Sequence, residues 1–67
     1  MIKEIQPIQP LLLDIPQVAR MLGLGRTKVY ALIATEGLPA IKFGRVLRVR
    51  PTSLQQWLDR REQGLIA

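Results

Sequence analysis

Arg26, Thr27 and Lys28 stand together directly after Gly23-Leu24-Gly25, and Lys42, Arg45 and Arg48 recur at every third position around Gly44. Guanidinium and ammonium groups donate hydrogen bonds and accept none, so clusters of this kind bind anionic oxygens and reach exposed acceptor atoms. Catalytic chemistry has no comparable support. The chain contains no histidine and no cysteine, and its five carboxylates are scattered. Thiol nucleophiles, imidazole bases, disulfides and the usual zinc ligand sets are therefore excluded, and no glycine-rich phosphate loop is present. No catalytic residue, no metal ligand and no cofactor are expected.

The cations are also concentrated. Of ten Lys and Arg, seven lie between residues 20 and 50, with Glu36 the single acid among them, while the whole 67-residue chain carries net charge +5. A basic centre suits a polyanion such as nucleic acid, although a solvated basic surface accounts for the charge alone. At this length one small domain must draw every regular element into one shared core. A large substrate cleft does not fit, and no small-molecule substrate is expected. The N-terminus lacks a basic stretch followed by a long apolar run, and no segment approaches the ~20 apolar residues of a membrane span. The expectation is a soluble, cytoplasmic protein with no membrane partner.

The elements that must position these cations can be read in order. Residues 1–10 (MIKEIQPIQP) contain two prolines and are expected to form a flexible arm. Asp14 can cap a first helix, Gln17 completes a capping box, and Leu13 can pack on Val18 as a hydrophobic staple. Ile15, Val18, Ala19 and Leu22 then share the core face. Gly23 falls where a left-handed cap is needed, and Gly25 can open the next helix without offering a capping oxygen. Ala19, Gly23 and Val29 together let two helices cross closely.

The second helix, about Arg26 to Thr35, is expected to bury Val29, Leu32 and Ile33 and to expose Thr27, Lys28, Ala31 and Ala34. Small residues with Thr and Lys suit close approach to a groove better than a solvated surface. Glu36-Gly37-Leu38-Pro39 ends the helix. In the following hairpin, a three-residue loop of Gly44, Arg45 and Val46 would pair Phe43 with Leu47, Lys42 with Arg48 and Ile41 with Val49. Each face would then be chemically uniform, one apolar and one basic, with Arg45 at the tip. The last helix opens near Pro51, with Arg50 or Thr52 as its cap; Leu54, Trp57, Leu58 and the stem of Arg61 share one face, and Gly64 is expected to stop it. The resulting fold class is α+β: a winged helix-turn-helix of three helices and a two-stranded antiparallel wing, spanning residues 11–64 with a tail at 65–67.

The stretches LLLDIPQVARMLGLGRTKVYALI, EGLPAIKFGRVLRV and SLQQWL resemble the small winged-helix proteins of the excisionase type, within the wider group that shares the DNA-binding head of MerR regulators. The resemblance implies that Gly25, Arg26, Thr27, Lys28, Tyr30 and Ala31 belong to a recognition helix for the major groove. It implies that Lys42, Arg45 and Arg48 form a wing along the backbone or minor groove. Tyr30 fits either a phosphate contact or the edge of the core. Two departures stand out: Gly25 replaces a frequent capping serine, and Ala31 a frequent basic residue.

The function so implied is sequence-specific binding of double-stranded DNA by an architectural factor that bends attachment sites and steers an integrase toward excision. Its expected partners are DNA, an integrase and further copies of the chain along the duplex. A small phage or plasmid transcriptional regulator uses the same surface, and a protein-binding adaptor for an acidic partner is a third reading. All three are non-enzymatic.

Overall fold

The computed structural model describes residues 11–66, with side chains through Gly64; the expected arm at residues 1–10 lies outside them. The elements run α1 (Ile15–Leu22), α2 (Arg26–Thr35), β1 (Ile41–Phe43), β2 (Val46–Arg48) and α3 (Pro51–Ile66). Three helices and an antiparallel hairpin in this order make a winged helix-turn-helix domain, as expected.

Capping chemistry sets the first helix. Asp14 Oδ1 accepts from the Gln17 backbone N–H at 2.8 Å, and Gln17 Oε1 accepts from the Asp14 N–H at 2.9 Å. The reciprocal pair satisfies two donors that the first turn would otherwise leave open. At the other end Gly23 adopts φ 69° and ψ 32°. Its N–H reaches the Arg20 carbonyl at 3.2 Å, and the N–H of Leu24 reaches Ala19 at 2.9 Å, the paired bonds of a Schellman turn. The chain therefore reverses within three residues, Gly23 to Gly25, before α2 begins.

The core is built where the elements converge: Leu13, Ile15, Val18 and Ala19, then Val29 and Leu32, then Leu38, Val49, Leu54 and Trp57. Ala19 is buried and so lets α2 approach, while Val29 is fully buried in the space left. Leu13 and Val49 exchange both backbone hydrogen bonds at 2.8 Å. This bridge lies on the side of β2 away from β1, because successive residues of a strand offer their backbone groups to opposite sides.

The hairpin register differs from the expected one. Ile41 pairs with Arg48, Lys42 with Leu47 and Phe43 with Val46 around Gly44 and Arg45. Gly44 has φ 61° and, among the described residues, no non-glycine residue has positive φ, the sign pattern of a type II′ turn, whose twist matches that of the strands. The expected Ile41 to Val49 pairing also required backbone groups that Val49 gives to Leu13. Lys42 and Arg48 consequently lie on opposite faces, and no like-charge pair stands across the ladder.

α3 opens at Pro51 as expected and departs from expectation at its far end. Leu54 N–H donates to the Arg50 carbonyl at 2.9 Å, so Arg50 takes the cap position and Thr52 lies inside the helix. The helix continues through Gly64 to Ile66. Gly64 keeps negative φ here, and a single helical glycine costs only about 1 kcal/mol relative to alanine.

Candidate nucleic-acid interface

α2 begins with a local conflict. Gly25 occupies the cap with φ −78° and ψ 162°, its backbone carbonyl accepts from Val29 N–H at 3.2 Å, and no side chain caps the helix. The first turn contains no acidic residue and instead carries Arg26 and Lys28, all of it exposed. Cations at the positive end of a helix dipole cost roughly 0.3 to 1 kcal/mol each. Open N–H donors, a dipole and two cations all address the same outer space, which suits an anion from outside the chain.

The remaining expected residues of α2 extend the same surface. Thr27 and Ala31 are exposed, and Tyr30 is half-exposed at 51%. Ala34 is exposed as well, so beyond Tyr30 this face carries only short side chains. The turn at Gly23 and the pair Ala19 and Val29 hold this helix against α1, which braces it from behind.

The wing places its cations less uniformly than expected. Lys42 and Arg45 are exposed, Arg45 in the turn itself. Arg48 is partly buried, and its Nη1 donates to the Leu47 carbonyl at 2.9 Å. Lys42 shares its face with Leu47, which packs on the core, whereas Arg48 shares the outer face with Ile41, Phe43 and Val46. The structure thus brings Arg26, Thr27, Lys28, Tyr30 and Ala31 onto one helix capped by Gly25 and puts the wing cations on two faces and a tip. Two further exposed cations, Arg20 at the end of α1 and Arg50 between β2 and α3, lie outside the expected set. Their charge was countable in the sequence, but neither sits in a motif.

α3 ties these parts together. Trp57 Nε1 donates to the Glu36 carbonyl at the end of α2 at 3.1 Å. Arg61 lies 4.8 Å from the Trp57 ring centroid and pairs with the Glu36 carboxylate at 3.0 Å. Among the described residues no group of three or more His, Cys, Asp or Glu side chains could hold a metal ion, and no helix is long and apolar enough to cross a membrane.

Comparison with known proteins adds to this geometry. The chain is similar to a protein described as a probable excisionase from Saccharopolyspora erythraea, 39% identical over 49 residues. That match covers 73% of this chain and 50% of the relative, so the chain spans about half the length of the curated protein it matches. No solved structure matches it at a significant level. Residues 12–62 match the family model described as a helix-turn-helix domain, which takes in α1, the glycine turn, α2, the wing and most of α3. With that order of elements and that match, the chain belongs to the helix-turn-helix domain family of DNA-binding proteins.

Proposed function

We propose that this protein is an excisionase-type architectural factor, which binds double-stranded DNA at specific sites, bends it and directs an integrase toward excision. The observation that carries the reading is the uncapped, exposed and basic first turn of α2. Arg26 or Lys28 reads guanine acceptors in the major groove, and Thr27 contacts a neighbouring base edge. The open N–H groups at Gly25 and Arg26 hold a phosphate, with the Tyr30 hydroxyl beside them and Ala31 allowing close approach.

The wing supplies the second contact. Because Lys42 and Arg48 lie on opposite faces, Arg45 at the tip leads the contact, and the two cations reach phosphates from either side of the hairpin. Such a single module buries about 600 to 1,000 Å² of protein surface, so selective occupancy rests on several copies or on a partner protein. Deformation of the duplex is then offset by the added contacts. The resemblance to a probable excisionase supports recombination over transcription as the setting.

The test is a pair of assays on attachment-site DNA. Binding should weaken with salt at a log-log slope of about −4, as expected for four or five neutralised phosphates. A reconstituted integrase reaction should shift from integration toward excision when the protein is added. A slope near zero defeats the DNA reading, and binding with no effect on recombination leaves a regulator of transcription.

A further inference from the structure

The tip of the wing is apolar where an exposed turn is ordinarily polar. Phe43 and Val46 pair across the ladder, close the Gly44-Arg45 turn and stand 54% and 43% exposed. Their neighbours are cations. Arg45 sits in the turn itself, Arg48 shares their face, and Lys42 lies on the opposite one. No carboxylate occurs between Glu36 and Asp59. Behind Phe43, residues Leu11, Leu12, Ile41 and Arg50 complete a groove of about 220 Å³, below the about 300 to 1,000 Å³ of small-molecule sites. The exposed pair therefore fits a larger surface, anionic at its rim and able to take apolar side chains inside.

We infer that Phe43, backed by Val46, is a wedge that enters the minor groove beneath the wing, opens a base step and bends the duplex. The inference rests on the DNA reading above and adds to it the side chain that does the bending. Depth selects the pair. The minor groove is about 7.5 Å deep, and strand residues rise about 3.4 Å each. With Arg45 leading, Phe43 and Val46 follow one residue behind the turn and lie within that depth. Ile41 and Arg48 lie two residues further back, about 6.8 Å, at the level of the phosphates. The hairpin thus offers a cation to the groove floor, an apolar pair to sugars and base edges, and further cations to the rim.

Width makes the pair a wedge. Paired strands stand about 4.8 Å apart and the groove is about 6 Å wide, which leaves no room for a phenyl ring unless the groove opens. Apolar side chains that enter in this way partly unstack a step and kink DNA by about 20 to 90° toward the major groove. Pyrimidine–purine steps yield most easily. Phe43 is thereby a residue that sets sequence preference without a hydrogen bond, and the preferred step under the wing is TA or CA.

The test uses the full chain on duplexes that it selects from random sequence. Bend is read by energy transfer between the duplex ends, and unstacking by permanganate oxidation of thymines under the wing. The parent chain should bend its duplex, sensitise those thymines and enrich TA or CA steps at that position. Phe43→Ala should cut the bend to roughly half or less and abolish the sensitivity and the step preference. Its salt slope should stay that of the parent, since no phosphate contact is lost, and this also reports that the wing keeps its fold. Phe43→Leu should retain the bend, because leucine serves equally as a wedge. A bend and step preference undiminished in Phe43→Ala overturn the inference. Salt-dependent binding by the parent chain without any bend overturns it too, and leaves the DNA reading standing. A parent chain that selects no duplex removes both.

Discussion

The indole N–H of Trp57 donates to the main-chain oxygen of Glu36, joining the middle of α3 to the C-cap residue of α2 at 3.1 Å. The bond satisfies a helix-end carbonyl and places the largest core side chain where it fixes the outward angle of α2. Trp57→Phe, which removes the donor together with part of the buried ring, should lower stability by about 1 to 3 kcal/mol. Trp57→Ala should cost about 3 to 5 kcal/mol and leave a domain of this size largely unfolded. Arg61→Ala removes a half-exposed ion pair and ring contact and should cost less than about 1 kcal/mol. Urea denaturation of the three variants checks this order, and an Arg61→Ala effect as large as that of Trp57→Ala would contradict it.

The two glycines around the tight turn should respond oppositely. Neither has an atom within 4 Å of an added Cβ, so only backbone conformation separates them. Gly23 has φ 69°, and Gly23→Ala should destabilise by about 1 to 2 kcal/mol. Gly25 is extended, and Gly25→Ser supplies the missing cap oxygen, raising stability by a few tenths of a kcal/mol. Melting temperatures that fall in both variants would show a constraint on Gly25 beyond its backbone.

Asp14→Ala should lose about 1 kcal/mol, since both hydrogen bonds of the capping box rest on a cap with the right geometry. Asp14→Ser should recover most of the loss. Equal denaturation midpoints for Asp14→Ala and the parent chain would exclude the box as a stabilising element.

Substitutions in the DNA surface should divide by role. Arg26→Ala and Lys28→Ala should each relax discrimination at one base position by about 1 to 3 kcal/mol. Arg45→Ala should weaken binding uniformly across sequences and reduce the salt slope by about 1. Fluorescence anisotropy on matched and mismatched duplexes over a salt series separates the two patterns. An Arg45→Ala variant that changes sequence preference would assign the tip a reading role instead.

The strand register has its own test. Lys42 faces Leu47, not Arg48, so the coupling energy between Lys42→Glu and Arg48→Ala in a double-mutant cycle should fall near zero. A favourable coupling of about 0.5 kcal/mol or more would restore the three-residue loop.

How much of this was legible in the sequence depended on the range of the interaction involved. The capping box, the Gly23 turn and the faces of α1 and α2 are decided within a few residues, and Asp14, Gln17, Gly23, Ala19 and Val29 announce them. The helical placement of Arg26, Thr27 and Lys28 followed for the same reason. The register did not, because the backbone of Val49 is taken by Leu13, a partner that no local pattern indicates. Chemical uniformity of the two faces was a poor guide once the outer face proved to carry Phe43 and Val46 beside Arg48. Gly64 was misread as a stop because its position after a run of helix formers fits either a cap or a tolerated interior glycine.

The bridge between Leu13 and Val49 also bears on the order of folding. It closes a loop containing α1, α2 and the whole hairpin, whereas α1 and α2 meet across one short turn. Long-range closure costs chain entropy before any contact offsets it. The helix pair should therefore form first, with the hairpin docking late. Val29→Ala should then slow folding in stopped-flow measurements, and Val49→Ala should mainly speed unfolding. On that ordering the wing is the last part of the molecule to take its place and the first to leave it, while the helix that reads bases is already standing.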